Sequence, residues 1–366
     1  MSPSPVLPDY LGPNVRGIVP ALLAPSSARP AWMPSALDGV SAVVVLVLDG
    51  LGWEQFVERR HLLANLGSME GGPVTTVAPS TTATALTSIT TGLTPGEHGL
   101  IGYRIDVSGE VLNVLRWHTP TGDARHRIEP DRLQPFRPFL GEAVPVVSRV
   151  ELEGTAFTEA HLRGTRPMGW RVPSSLPVQV VASLARGARF VYAYYDGIDK
   201  VAHAHGFGEH YDAEVIAADA LVGALRRRLA DDVALLVTAD HGQVEVGDRM
   251  ITPHHDVLRL CHHQSGEARF RWLHAKPGAA DDLLAAARGH HGDVAWVCSR
   301  AEVIDGGWFG PVVSPPVAGR LGDVALVPHA PIGFHDPADS GPYELVCRHG
   351  SLTSAEMLVP LLASVG

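Results

Sequence analysis

Asp199-Lys-Val-Ala-His203, Thr238-Ala-Asp240-His241 and His349-Gly350 each set a carboxylate or an imidazole on or just past an apolar run. Asp49 closes a fourth run, Val43-Val-Val-Leu-Val-Leu48. Together Asp49, Asp199, His203, Asp240, His241 and His349 supply three carboxylates and three imidazoles. A donor set of that size suits two zinc ions that keep open coordination positions, and two-metal sites of this kind serve phosphoryl transfer. The balance of imidazole and carboxylate favours zinc, with manganese or iron as the alternatives.

Taken singly, each motif has a plainer reading. Asp-x-x-x-His puts both side chains on one helix face, which is most often solvated surface. Asp49 fits a helix N-cap, and a lone His349 fits a structural role. Asp240-His241 gains weight from following a buried strand, whose end holds side chains rigidly. The hydroxyl-rich run Pro79-Ser-Thr-Thr-Ala-Thr-Ala-Leu-Thr-Ser-Ile-Thr-Thr-Gly92 reads as helix capping and surface hydroxyls, because Ser and Thr favour helix N-termini. Its functional reading places one hydroxyl at a helix N-terminus, where the dipole and free N–H groups favour an alkoxide and a phosphate. What separates these motifs from chance is their joint order along the chain.

The elements that must position them follow from patterning. Residues 43–48, 190–195 and 233–237 are continuous apolar runs, the signature of strands buried on both faces of a parallel sheet. Residues 74–78 read as a further short strand. Helices are expected over 53–66, 81–91 and 209–229, the last with Val215, Ala218, Val222, Leu225 and Leu229 on one face. Alternating strands and helices imply a mostly parallel central sheet with helices on both faces. In such sheets functional residues gather beyond the carboxyl ends of the strands. Asp49, the Thr81 region, Asp199 and Asp240 all hold that position. Residues 1–39, rich in proline and small residues, are expected to wrap the surface. Residues 101–180 are irregular and suit loops over the site. Residues 251–330, strand-like at 270–274 and 294–298 and helical at 279–288, read as a small inserted α/β cap or lobe.

Bulk composition narrows the function classes. The 366 residues carry 45% hydrophobic and 19% charged side chains, so the chain buries a large core. A net charge of −10 and no Lys/Arg stripe argue against polymeric nucleic acid as partner. A small anionic ligand is still allowed, because a bound metal outweighs distant surface charge. No apolar run reaches the roughly 18 residues that span a bilayer, and no signal peptide is read at the N-terminus, so no membrane role is expected. Cys261, Cys298 and Cys347 are widely spaced, with no Cys-x-x-Cys pair; a reducing, cytoplasmic location follows as an expectation.

The ordered set Val-Leu-Asp49-Gly, Pro79-Ser-Thr-Thr82, Thr91-Gly-Leu-Thr-Pro-Gly-Glu-His98-Gly, Asp199-x-x-x-His203-x-x-Gly206, Thr238-Ala-Asp-His-Gly242 and His349-Gly resembles the alkaline phosphatase superfamily. It lies closest to the nucleotide pyrophosphatase/phosphodiesterase branch and its bacterial relatives. The resemblance implies one alkaline-phosphatase-like catalytic domain over residues 1–366. It implies a nucleophile at Thr82, with Ser80, Thr81 and Thr84 as weaker candidates. It further implies one metal held by Asp199, His203 and His349 and a second by Asp49, Asp240 and His241. Charge arithmetic agrees: two divalent cations and three aspartates leave about one positive charge, which the Thr82 alkoxide would neutralise. The implied activity is hydrolysis of a phosphodiester or nucleotide pyrophosphate through a covalent phospho-threonine, on a small phosphate-ester or nucleotide substrate. A phosphomonoesterase or phosphonate hydrolase on the same site is the alternative, and a metal-binding protein without turnover is the alternative of another class.

The chain departs from the branch at Ala85, where the resemblance implies an asparagine beside the phosphate. Ala83 follows Thr82, so the arginine that clamps monoesters in alkaline phosphatases is missing, and residues 78–84 carry no sulfatase pattern. Other histidines are read more plainly. His254-His255-Asp256 and His262-His263 fit surface roles, with substrate contact or a lid as the alternative. His335-Asp336 is a candidate for the pocket lining, and His98 for a structural turn. Tyr194, Tyr195 and Trp170 are read as core packing before base stacking.

Overall fold

The computed structural model describes residues 3–24, 29–339 and 344–366. Its central sheet has seven strands, in the order Glu70–Thr75, Leu358–Val365, Val233–Thr238, Ala42–Leu48, Phe190–Tyr195, Pro145–Val147 and Arg166–Pro167. The four strands from Val233–Thr238 to Pro145–Val147 run parallel to one another, and Arg166–Pro167 continues parallel to the last of them. Leu358–Val365 pairs antiparallel on both sides, with Val233–Thr238 and with Glu70–Thr75. The α/β architecture is therefore mostly parallel, with helices packed against the sheet.

The three apolar runs form its centre because each is covered on both faces. Every residue of Ala42–Leu48, Phe190–Tyr195 and Val233–Thr238 is buried. Each buried Val or Leu contributes roughly 1.5–3 kcal/mol to the core. Register then decides where the chemistry falls. Val47 pairs with Thr238 on one side and Tyr194 on the other, so the three strands end level. The chain leaves this common edge at Asp49, at Asp196 and at Ala239, which delivers Asp49, Asp199 and Asp240 to one place. Gly50 makes the first exit tight: its φ is +76°, and a Cβ there would lie 2.4 Å from Gln243 Nε2.

A second, antiparallel sheet has the order Cys261–Glu267, Phe270–Ala275, Val324–Pro328 and Ala295–Ser299. Helix Ala280–His291 covers one of its faces, where Leu273, Leu283, Ala287, Val297, Val324 and Leu326 pack together. From the other face Phe270, Trp272, Ala325 and Val327 join the main core. A small four-stranded sheet, beginning with Arg104–Val107, occupies part of the stretch expected to be irregular.

Several boundaries moved. Helix Trp53–Arg59 stops short of residue 66 and gives way to a 3-10 turn at Arg60–Leu62. The second strand is Glu70–Thr75, earlier than residues 74–78, because it must pair with Leu358–Val365. Residues 1–39 do more than wrap the surface. Val15, Ile18 and Val19 are fully buried, and Arg16 Nη1 donates to the Gly92 carbonyl at 3.1 Å. Among the described residues no helix is long and apolar enough to cross a membrane.

Candidate active site

Helix Thr82–Thr91 opens the site. Thr81 precedes it in extended conformation and offers no side-chain cap to the first-turn N–H groups. Gly92, at φ +74°, ends it. Thr82 is half-buried, and its hydroxyl lies 3.1 Å from His241 Nε2. Of the neighbouring hydroxyls, Ser80 Oγ donates to the Ser351 carbonyl at 2.7 Å, and Thr84 is sealed in the interior. Ala85, also fully buried, gives its N–H to the Thr81 carbonyl.

The three histidines are oriented alike. Nδ1 lies 2.7 Å from the Cys347 carbonyl in His203, 3.0 Å from that of Gly242 in His241, and 2.9 Å from that of Ser80 in His349. A carbonyl only accepts, so each Nδ1 carries the proton and each Nε2 turns a lone pair inward. Those lone pairs meet carboxylates. His203 Nε2 is 3.2 Å from Asp199 Oδ1, and His349 Nε2 is 3.9 Å from the same atom. His241 Nε2 is 3.4 Å from Asp49 Oδ1 and 3.5 Å from Asp240 Oδ2. Both of those carboxylate oxygens are sealed from solvent with no donor. Lone pairs facing lone pairs are stable only with positive charge between them.

The titration behaviour has the same cause. Burial, then the negative charges of Asp240 and Asp199, push the Asp49 carboxyl well above the usual carboxylate range. Burial likewise raises Asp240, against the pull of His241. Burial would raise Asp199 too, but His203, with His349 and His241, holds it below that range. Burial would lower His203, yet Asp199 keeps it above the ordinary imidazole value. His349 is pushed well below, by burial and then by His241. Three carboxylates this crowded fit a cation-binding centre.

Asp49, Asp240 and His241 place ligand atoms within 4.8 Å of one another, and so do Asp199, His241 and His349. All six residues expected from the sequence therefore gather in one place. The expected division differs in one respect: His241 stands between the groups, its ring stacked 3.6 Å on that of His349, while His203 joins through Asp199.

The residues that orient this set were not foreseen. Tyr194, read as packing, donates its hydroxyl to Asp49 Oδ2. Gln243 Nε2 donates to Asp199 Oδ1 at 3.0 Å, and Thr76 donates to the Asp240 carbonyl. Gly242 is required by close approach, since a Cβ would lie 2.0 Å from the Ala355 carbonyl oxygen. The one signal in the sequence was a tyrosine at the buried end of a strand, whose phenol needs a partner. Tyr195 instead donates to Glu214 at 2.6 Å, and Trp170 packs beside Arg149. His98 has the turn role expected of it, with Nε2 2.8 Å from Ser88 Oγ and Nδ1 accepting from Leu100 N at 3.1 Å.

Two cavities meet at Thr82. One, of about 230 Å³, is mainly apolar and includes Leu86, Phe157, Leu162 and Tyr192. The other, of about 570 Å³, reaches from Asp199, His203 and His349 to Glu267 and Arg271 of the second sheet. His335 and Asp336 line it as well. Burial pushes the Glu267 carboxyl up to about 8, against the Tyr103 N–H that it accepts at 3.0 Å.

A mostly parallel α/β sheet that ends in clustered aspartates and histidines beside a helix N-terminus defines a hydrolase of the alkaline phosphatase superfamily. The chain belongs to the type I phosphodiesterase / nucleotide pyrophosphatase family, whose model matches residues 43–352, and is a phosphoric ester hydrolase of that metal-dependent class. Solved structures of the same fold include human ectonucleotide pyrophosphatase / phosphodiesterase 5, at 16% identity and TM-score 0.65 over 88% of this chain and 87% of that one. An inactive variant of the murine protein in complex with AMP matches at 16% identity and TM-score 0.64, over 88% of each chain. Phosphonoacetate hydrolase from Sinorhizobium meliloti, in complex with phosphonoformate, matches at 17% identity and TM-score 0.63, over 91% of this chain and 90% of that one. No curated protein sequence matches the chain significantly.

Proposed function

We propose that this chain is a two-cation phosphohydrolase with Thr82 as nucleophile, acting on phosphodiesters or nucleotide pyrophosphates through a covalent phospho-threonine. Asp199, His203 and His349 would hold one cation and Asp49, Asp240 and His241 the other, with zinc best suited to the donor set. The observation that carries this reading is the common orientation of the three imidazoles, each with Nδ1 on a backbone carbonyl and Nε2 on a carboxylate. When bound, the cations favour the alkoxide and offset charge on the phosphoryl and leaving oxygens.

The chain's own groups then have defined tasks. Thr82 Oγ1 attacks phosphorus in line, forming the threonine–phosphorus bond as the bond to the leaving oxygen breaks. The uncapped first-turn N–H groups of helix Thr82–Thr91 favour the negative charge and stand in for the donor missing at Ala85. Tyr194 and Gln243 fix the Asp49 and Asp199 carboxylates. Water finally cleaves the phospho-threonine. The apolar cavity suits one organic substituent of the ester, and the larger one, with more charged side chains in its wall, suits the other. The AMP complex of the murine relative supports a nucleotide substrate. In this reading residues 251–330 form a lobe inserted in the catalytic domain, which supplies Glu267 and Arg271 to the cavity wall. The free Cys261, Cys298 and Cys347 support a cytoplasmic location.

A second reading, phosphomonoester or phosphonate hydrolysis at the same site, draws on the fold shared with phosphonoacetate hydrolase and on Ala85. Parallel assays of bis-p-nitrophenyl phosphate, p-nitrophenyl phosphate and phosphonoacetate separate the two. The diester is expected to turn over fastest. A monoester or phosphonate that outpaces it would displace the diesterase reading.

A further inference from the structure

We propose that Asp106, His263 and His274 form a third divalent-cation site of the zinc type, distinct from the pair beside Thr82 and structural in role. Asp106 lies on strand Arg104–Val107. His263 and His274 are cross-strand partners on Cys261–Glu267 and Phe270–Ala275. One ligand atom from each of the three lies within 4.8 Å of the others. His263 Nε2 is 2.7 Å from Asp106 Oδ2, and the two imidazoles stack at 4.0 Å with planes 14° apart. His241, His349 and Asp199 in the candidate active site have the same form, two near-parallel rings sharing one carboxylate.

The surroundings hold these donors in place. Asp106 is buried, and its Oδ1 accepts from Gly109 N at 2.8 Å, which turns Oδ2 toward the histidines. Ser265 Oγ, 2.8 Å from His274 Nε2, fixes the second ring. Two imidazoles and a carboxylate make a zinc-competent set with one position to spare. His262 lies against the first ring, its Nδ1 2.9 Å from His263 Nδ1. In a tetrahedral zinc site with bonds of about 2.0–2.1 Å, donors lie about 3.3 Å apart. The Asp106–His263 contact therefore has to open by roughly half an ångström, a side-chain adjustment.

A neighbouring cluster, His254, Asp256 and His290, is weaker ground. His290 is exposed there, and Asp256, only half-buried, already pairs with Arg259 at 3.2 Å. The Asp106 site also has a structural consequence that the other lacks. The segment Tyr103–Val107 touches the second sheet at two points, Tyr103 N on Glu267 Oε2 and Asp106 on His263. Tyr103 and Glu267 both line the larger cavity. A cation at Asp106 would clamp that wall together.

The test is the zinc content of the full chain, equilibrated at buffered micromolar free zinc, for wild type, His263→Ala/His274→Ala and Asp240→Asn. The double variant is expected to hold one equivalent less than wild type. Asp240→Asn is expected to lose its equivalent independently, so that failure of the two-cation reading is seen apart from failure of this one. Equal zinc in wild type and the double variant would overturn the proposal. Should the double variant not fold, anomalous diffraction at the zinc edge on wild-type crystals decides. A peak between His263 and His274 supports the site, and its absence rejects it.

Discussion

Replacing Arg269 by leucine should weaken the fold and the candidate active site together. Arg269 and Glu356 have fully buried side chains. Arg269 Nε and Nη2 donate to the two carboxylate oxygens at 2.8 and 2.6 Å, and Nη1 donates to the carbonyls of Ala330 and Ile332. Glu356 also accepts from Ser351 N at 3.0 Å and Thr353 Oγ1 at 2.6 Å, and its carbonyl accepts from Gly242 N. The pair thus fastens the second sheet to the segments that follow His241 and His349. Removing one partner of a buried ion pair costs about 3–5 kcal/mol, because the other charge is left without compensation. An unfolding entropy of about 2.1 cal/mol/K per residue gives roughly 0.77 kcal/mol/K for a chain of this length. Scanning calorimetry should therefore show Arg269→Leu melting about 4–7 °C below wild type. Removing both charges, in Arg269→Leu/Glu356→Leu, should restore part of the loss. A single variant that melts with wild type, or a double variant worse than either single change, would refute the reasoning.

Three further outcomes are expected. Tyr194→Phe removes the donor to Asp49 and should lower metal affinity about 10–100-fold, read by competition with a chelating dye; unchanged affinity would show that the phenol does not position Asp49. Asp240→Asn should lose one metal and most of the turnover, and retention of full metal content at wild-type affinity would end its role as a ligand. In the metal-free chain, Glu267 is raised to about 8 by burial, so the folded state holds a proton that the unfolded state releases above about 4.5. Stability should therefore fall as pH rises from about 4.5 to 8. Glu267→Gln should gain on wild type across that window, by up to a few kcal/mol at its alkaline end; parallel denaturation curves for the two proteins at pH 5 and pH 9 would contradict this.

The centre of the fold was legible because its strands are covered on both faces and so carry continuous apolar runs. The outer strands were not. Leu358–Val365 contains Pro360, which reads as a terminator. It is tolerated because it faces Pro73 and lies just before the pairing with Val233–Thr238 begins. Cys261–Glu267 is Cys-His-His-Gln-Ser-Gly-Glu, with no apolar alternation; it is buried by its neighbours. The six clustered donors were legible because each ends or follows an identifiable element and the register brings those ends level. The partners that orient the three histidines were not, because Ser80, Cys347 and Gly242 act through backbone carbonyls, which leave no trace in residue type.

The most direct test of the central claim compares turnover and metal content of Thr82→Ala with wild type on the best phosphodiester substrate. The account predicts wild-type metal content with activity lower by about 10⁴-fold or more, the scale expected when a nucleophile is removed. Undiminished turnover in Thr82→Ala would contradict it.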